Sequence, residues 1–337
     1  MTIKDLVRLS GYSLGTVSRV LNNQPNVSDR ARETILSIAR EHGFELNASA
    51  QSLKQQRSNS VLVVVKGRNN EMFASMVEQL QTLFARTIHP LIVDFIDEDD
   101  NEVQRAVQLL RERKPMGLLL LGGTNQHLAQ YFPSIGIPSV VVTHNTASLP
   151  YPNLSSVSTD DRAGADCAAD YLIRCGHRSI ALLGGCTEIS DTSARRYEGF
   201  LDAFHRHGME FDAERFYYAG RFSYENGYTG MQAILQHTPE VTAVFAMADV
   251  IAIGAMRALA DAGRRVPDDV SVIGYDGLKI GGFYTPKLTT IAQQVELLTK
   301  RSFEVLIQCM ERGNPAQHVT VPFTLSVRES VRNVAGV

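Results

Sequence analysis

The sequence predicts an all-α helix-turn-helix headpiece followed by an α/β body of two doubly wound lobes. Three observations predict this. The first 46 residues read as short amphipathic helices joined by a turn containing glycine. Residues 47–59 are polar, apart from one large apolar side chain. From Ser60 onward, β-rich apolar runs alternate with helical stretches, the pattern of parallel sheets covered by helices on both faces.

The head begins with Thr2-Ile3-Lys4-Asp5, a capped helix start in which Thr2 caps and Asp5 reaches back. Leu6, Val7 and Leu9 give this helix one apolar face, and Gly11 ends it. Ser13 caps a second helix that runs to about Leu21, with Val17, Val20 and Leu21 inward. A third helix starts at Ser28 and buries Ala31, Ile35 and Ile38, with Gly43 as its stop. The outward residues of the second helix are Leu14, Gly15, Thr16, Ser18 and Arg19. Apart from Leu14 they are short or polar, and such a face fits a major groove about 12 Å wide. Arg19 can chelate a guanine edge and Thr16 and Ser18 can bind phosphate, while Leu14 and Gly15 occupy the first turn, where a recognition helix meets base edges. A solvated helix face is the competing reading.

Asn47 to Lys54 reads as a two-turn helix, too short to be stable alone in water. Leu53 is its one large apolar residue. Such a side chain beside a basic head can wedge between base steps in the minor groove, or it can pack on the body. The charge is split accordingly. Residues 1–57 carry eight basic and five acidic residues, a net of +3, and the remainder carries 25 basic and 31 acidic, a net of −6. A basic head on an acidic body points to a polyanion partner for the head alone.

In the body, Val61 to Val65 is a continuous β-branched and leucine run, the mark of a strand buried on both faces. Further strands are expected at 90–95, 117–121 and 139–142, then at 179–183, 216–219, 243–247 and 270–274. Helices are expected at 72–86, 102–113, 162–174, 195–207, 224–237 and 250–262. Two sets of about four strands suggest two similar lobes. Open α/β sheets bind ligands at the carboxyl ends of their strands. That rule selects Asn69, Asn70, Phe73, Asp160, Asp161, Thr192, Arg196, Phe222, Ala248, Asp249 and Asp276. Polar groups beside aromatic plates suit a sugar or polyol, whose hydroxyls take hydrogen bonds while a ring face stacks. Asp160 has a second reading as a helix cap.

Several segments carry a family resemblance. Thr2 to Asp5, Ser10-Gly11, Thr16-Val17-Ser18-Arg19-Val20-Leu21-Asn22, Val27-Ser28 and Asn47 through Leu53 resemble the headpiece and hinge of the lactose-repressor (LacI/GalR) family. The resemblance runs to about Val331. It implies a homodimeric transcription factor with a periplasmic-binding-protein-like body, and it implies DNA-binding roles for Thr2, Ser13, Leu14, Gly15, Thr16, Ser18, Arg19, Asn22, Asn47, Ala50 and Leu53. For the body it implies effector contacts from Arg196 and Asp276, stacking aromatics at Phe73 and Phe222, and a place for Gln293 at a crossing between lobes. With these go Asn70, Asp160, Thr192, Ala248 and Asp249. The domains implied are a headpiece at 1–46, a hinge and linker at 47–59, and an effector and dimerisation domain at 60–330. Its N-lobe takes about 60–159 and 292–319, and its C-lobe about 160–289 and 321–330.

The chain departs from the family pattern at several points. Tyr12 replaces a small aliphatic and Leu46 a proline before the hinge. Lys66-Gly67 replaces Pro-Asp, Ala248 an Asn and Gly277 an Asp. Some sugar-type contacts are therefore lost and Lys66 adds a charge near the pocket, leaving a different sugar, a sugar acid or phosphate, or a non-sugar as candidate effectors.

Other chemistries find no support. There is no G-x-G-x-x-G or phosphate loop, no G-x-S-x-G elbow and no H-E-x-x-H among the nine histidines. Gly122-Gly123 and Gly184-Gly185 read as tight turns, and the acids of 97–100 as a solvated loop. The four cysteines show no C-x-x-C spacing and read as reduced thiols. No run approaches the ~18 apolar residues of a membrane span, and residues 1–10 lack an apolar signal core, so a cytoplasmic protein is expected. The expected function is a ligand-responsive repressor of carbohydrate-utilisation genes, bound as a dimer to a palindromic operator, with no catalytic residue, metal or cofactor beyond its effector. A transport-type binding protein and an α/β enzyme are the alternatives.

Overall fold

The computed structural model describes residues 3–21, 27–42, 58–68, 70–188 and 190–335. The chain divides into two compact units, Met1–Ser58 and Asn59–Val337.

The head unit contains helices Ile3–Ser10, Leu14–Leu21 and Asp29–Glu41. Gly11 ends the first of them, taking φ +71° while its N–H donates to the Val7 carbonyl, a left-handed stop that glycine adopts without Cβ strain. Ser13 Oγ accepts from the Thr16 N–H at 3.2 Å, and Ser28 Oγ accepts from Ala31 N–H at 3.4 Å. Leu6, Val17, Val20, Ile35 and Ala39 form the core. Ile38 is only half-buried, and Ala39 takes the inward place the sequence reading gave it. Leu9 is exposed, so the first helix buries Leu6 rather than a broad face. The expected stop at Gly43 lies outside the described residues.

The body unit holds two six-stranded sheets. The first has order β11-β5-β4-β3-β1-β2, with β1 Val61–Lys66, β2 Leu91–Ile96, β3 Gly117–Leu121, β4 Ser139–Val142, β5 Leu154–Thr159 and β11 His318–Val321. The second has order β12-β10-β9-β8-β6-β7, with β6 Ile180–Gly184, β7 Tyr217–Ala219, β8 Ala243–Ala246, β9 Ser271–Asp276, β10 Thr289–Gln293 and β12 Phe323–Ser326. All pairings are parallel except that of β10 with β12. Both sheets therefore reverse strand order beside their first strand, the switch point at which open α/β sheets bind ligands. The chain crosses between lobes three times: after β5, between β10 and helix Val295–Arg312, and between β11 and β12.

Each lobe has six strands rather than four. Leu154–Thr159 escapes a hydropathy reading because serines occupy its buried positions. Two of those hydroxyls are satisfied: Ser155 Oγ accepts from Gln317 N–H at 3.0 Å, and Ser156 Oγ accepts from Thr146 N–H at 3.2 Å. Hydrogen bonding of this kind removes most of the cost of burying a polar group. Helices Asn125–Tyr131 and Val295–Arg312 were likewise not anticipated, and Phe216 ends a short helix instead of opening a strand. No described helix is long and apolar enough to cross a membrane.

Candidate functional site

A cavity of about 460 Å³ lies between the carboxyl ends of the two sheets. Its position follows from topology. The wall residues come from the end of β1 and the turn after it (Lys66–Arg68) and from turns directly after β2 (Asp97–Asp99), β3 (Gly122, Gly123) and β4 (Thr143) in one lobe. In the other they come from turns after β6 (Gly185, Cys186) and β7 (Gly220–Ser223) and from the end of β9 (Asp276). Of the effector residues expected from sequence, Asn70, Phe73, Thr192, Arg196, Phe222 and Asp276 line the cavity.

Arg196 is the electrostatic centre. It is 3% exposed. Its Nε donates to Asp161 Oδ1 at 2.8 Å, its Nη1 donates to the Met247 carbonyl, and its Nη2 lies 3.6 Å from Asp276 Oδ1. The guanidinium also stacks over Tyr275, 3.7 Å from the ring centroid. Burial pushes the Asp276 carboxyl up to about 6, against the opposing pull of Arg196 and a 2.9 Å bond from Gln293 Nε2. Asp276 stands at φ +112°, a backbone strain typical of functional positions.

The other four expected residues do not reach the cavity wall. Asp160 is exposed and caps helix Asp161–Arg174, accepting from the Ala163 N–H at 3.0 Å; its neighbour Asp161 is the one that turns inward to Arg196. Ala248 is buried at the start of helix Asp249–Asp261, because β8 passes into that helix with only a two-residue turn. Asp249 is fully buried behind the wall, where it accepts from Leu278 N–H and from the Thr290 hydroxyl, each at 2.6 Å. These bonds hold the turn that follows Asp276. Burial, then the charge of Asp276, pushes the Asp249 carboxyl up to about 8. Gln293 stands one step back, bridging Asp276 to Met72 Sδ. Asn69 lies outside the described residues.

On the opposite wall Asn70 caps helix Glu71–Phe84, accepting from the Phe73 N–H at 3.1 Å, and so fixes where Phe73 emerges. The paired glycines do more than make turns. A Cβ on Gly122 would sit 3.2 Å from the Phe73 ring, and one on Gly185 would sit 2.6 Å from the Phe222 ring and 2.3 Å from Ser193 Oγ. Backbone without side chains is what allows the two aromatic plates their places. Lys66 lines the cavity, but its Nζ donates to the buried Glu102 at 3.0 Å. Glu102 also accepts from Thr124 N–H and pairs with His127 Nδ1 at 2.9 Å. Burial raises the Glu102 carboxyl, but Lys66 and His127 together bring it below its usual value. The lysine charge is thus already balanced.

The acidic turn is solvent-exposed, as expected, but it has a partner. Arg221, from the second lobe, reaches Asp97 at 3.0 Å, Glu98 at 3.1 Å and also Asp99 across the cavity mouth. Further bonds span the lobes: Tyr224 Oη donates to Glu71, Asn125 N–H donates to Asp191, and Gln293 Nε2 donates to Met72 Sδ. Sequence reasoning missed Arg221, Asp97–Asp99, Gly185 and Thr143. All fall directly after strands, so the carboxyl-end rule applied to every strand would have found them.

In the head, Ser13, Leu14, Gly15 and Arg19 are exposed on one side of helix Leu14–Leu21, with Leu14 50% exposed, while Thr16 and Ser18 are half-buried beside them. Thr16 Oγ1 and Ser13 Oγ lie 3.0 Å apart. An exposed leucine thus stands at the amino end of a capped helix, next to hydroxyls and an arginine. Thr2, Asn22, Asn47, Ala50 and Leu53 lie outside the described residues.

Comparison with known proteins agrees with this division of labour. Residues 2–47 match the family model described as bacterial regulatory proteins, lacI family, and residues 169–331 match the periplasmic binding protein-like domain. The transcriptional regulator MalR of Clostridium butyricum is 30% identical, the match covering 99% of this chain and 100% of that one. The ribose operon repressor of Haemophilus influenzae is also 30% identical, over 98% of both chains. Among solved structures, the transcriptional regulator CelR–cellobiose complex superposes with TM-score 0.72 at 28% identity, over 98% of this chain and 99% of that one. The lac repressor dimer bound to operator and the anti-inducer ONPF shares the fold, with TM-score 0.77 at 24% identity over the same shares. The chain belongs to the lacI family of bacterial regulatory proteins, DNA-binding transcriptional regulators rather than enzymes.

Proposed function

We propose that this regulator is a cytoplasmic repressor that holds a palindromic operator as a homodimer and releases or tightens its grip when an uncharged sugar occupies the cavity. The observation that carries the reading is the cavity wall: two phenylalanine plates set by glycines, with the buried Arg196–Asp276 pair between the sheet ends. A sugar offers hydroxyls to the polar groups and a C–H face to an aromatic ring. Charge balance favours a neutral sugar over a sugar acid or phosphate. Arg196 faces Asp161 and Asp276, Lys66 faces Glu102, and Arg221 faces three acids. The names of the ribose operon repressor and the CelR–cellobiose complex support the same class.

Ser13, Leu14, Gly15, Thr16, Ser18 and Arg19 form the proposed DNA-reading face, completed by Thr2, Asn22, Asn47 and Ala50, with Leu53 as a minor-groove wedge. The headpiece (1–46), hinge (47–59) and body (60–330) divide these tasks. Coupling between the cavity and the operator requires that the sugar bind two lobe arrangements unequally, typically by about 1–3 kcal/mol.

The test is a thermal-shift panel of neutral mono- and disaccharides, sugar acids and sugar phosphates, followed by gel-shift titration on DNA from upstream of the protein's own gene. A neutral sugar should raise the melting temperature and change operator affinity; loss of binding marks an inducer and gain marks a co-repressor. Stabilisation only by anionic sugars, or by none, would overturn the sugar reading. Leu53→Ala should weaken operator binding and DNA bending while leaving sugar affinity unchanged, and unaltered bending removes the wedge.

A further inference from the structure

We propose that the seam between the lobes carries a proton switch: the lobes close over the cavity only around a neutral His144, so acidification opens the cleft. The inference deepens the proposed function and rests on it only for the consequence that an open cleft holds its effector less well.

His144 follows β4, between Thr143, which lines the cavity, and Asn145. Asn125 ties this segment to the other lobe. Its Nδ2 donates to the Asn145 carbonyl at 3.2 Å, and its backbone N–H donates to Asp191, at the start of helix Asp191–Arg206. The charge of Asp191, from the second lobe, also reaches His144, so the ring lies beside this contact between the lobes. His144 is 5% exposed, and neither ring nitrogen has a hydrogen-bond partner. A neutral imidazole buried this way leaves one donor and one acceptor unmet; an imidazolium leaves two donors and a buried charge, a far larger penalty.

The charged groups around it do not offset that penalty. Asp191 from the second lobe and Glu102 from helix Glu102–Arg113 favour a proton on His144, and Lys66 at the end of β1 opposes it. Glu102 is already bonded to Lys66, His127 and the Thr124 N–H, and Asp191 already accepts from Asn125. Burial dominates and holds the imidazole below its ordinary value. The direction of the effect follows by linkage. A histidine that binds a proton more weakly when the lobes are closed favours the open arrangement once protonated. Closure is thus unaffected well above about pH 6.5, the free imidazole value, and is lost progressively below it.

Hydrogen exchange on the full-length protein, with neither sugar nor DNA present, tests this. Wild type and His144→Gln are compared at the same pH, which cancels the intrinsic pH dependence of exchange. The readout is the peptide spanning 122–128, which contains the Asn125 amide that bridges the lobes. At pH 7.5 the two proteins should exchange alike. At pH 5.5 the wild type should exchange several-fold faster there than the variant. Equal rates at pH 5.5 would overturn the switch. If His144→Gln does not fold, NMR titration of ring-labelled histidines in the wild type decides: a resonance with a depressed midpoint that His144→Asn removes supports the proposal, and an ordinary midpoint for every histidine sinks it. Because no effector is involved, failure here leaves the sugar reading standing, and a failed sugar panel leaves this result standing.

Discussion

The two lobes share one strand order but solve the problem of a buried charge differently. In the first lobe the acid, Glu102, sits behind the wall and receives Lys66, His127 and a backbone N–H. In the second the base, Arg196, sits at the wall between two acids, over an aromatic ring. Repeated topology fixes where turns converge, not which chemistry they bring. The first arrangement keeps its charges satisfied among themselves, whereas the second presents Arg196 and Asp276 to the cavity.

That contrast is sharpest in stability. Arg196→Ala strands Asp161 and Asp276 in the interior, and breaking a buried pair by removing one partner costs about 3–5 kcal/mol. Lys66→Met leaves Glu102 with its bonds to His127 and Thr124, so its loss in a urea melt should be clearly smaller. Equal losses would erase the distinction between the lobes. The next largest effect is a pH dependence. Asp249, pushed up to about 8, holds its proton more tightly folded than unfolded, so its contribution is full at low pH and is lost as pH rises from about 4 through 8. Urea melts should show wild type losing stability relative to Asp249→Asn over that window; a constant difference breaks the assignment.

Two smaller effects separate wall from fold. Gly185→Ala places a methyl against Phe222 and Ser193, so it should weaken sugar affinity in a thermal-shift titration more than it lowers the melting temperature of the free protein. The reverse would mean that Phe222 serves packing alone. Arg221→Ala should leave the melting temperature unchanged, since exposed ion pairs add little, while speeding sugar release in stopped-flow measurements. An unchanged release rate would deny the mouth contact any part in retention.

Much of this was readable in advance, for identifiable reasons. Val61–Val65 and Gly117–Leu121 announce themselves because a strand buried on both faces needs apolar residues throughout. Arg196 and Asp276 were found because both a topological rule and a family pattern led to them. Leu154–Thr159 was missed because hydroxyl bonds let serine stand where hydropathy expects valine. Asp160 and Asp161 were adjacent candidates, and only helix phase tells which one caps and which one turns inward. Arg221 and the acidic turn were missed as a unit because they lie 122 to 124 residues apart, and a charge run does not show its partner in the sequence.

The threefold passage of the chain between sheets has a consequence for dissection. Neither lobe is a contiguous stretch of polypeptide: the first borrows Val295–Arg312 and His318–Val321 from the far end, and the second ends with Phe323–Ser326. A protease that nicks one crossing leaves two covalent straps in place, so the lobes stay tethered and can still swing. Truncation behaves otherwise, since cutting after residue 293 strips an edge strand from each sheet and no shortened gene yields one lobe intact.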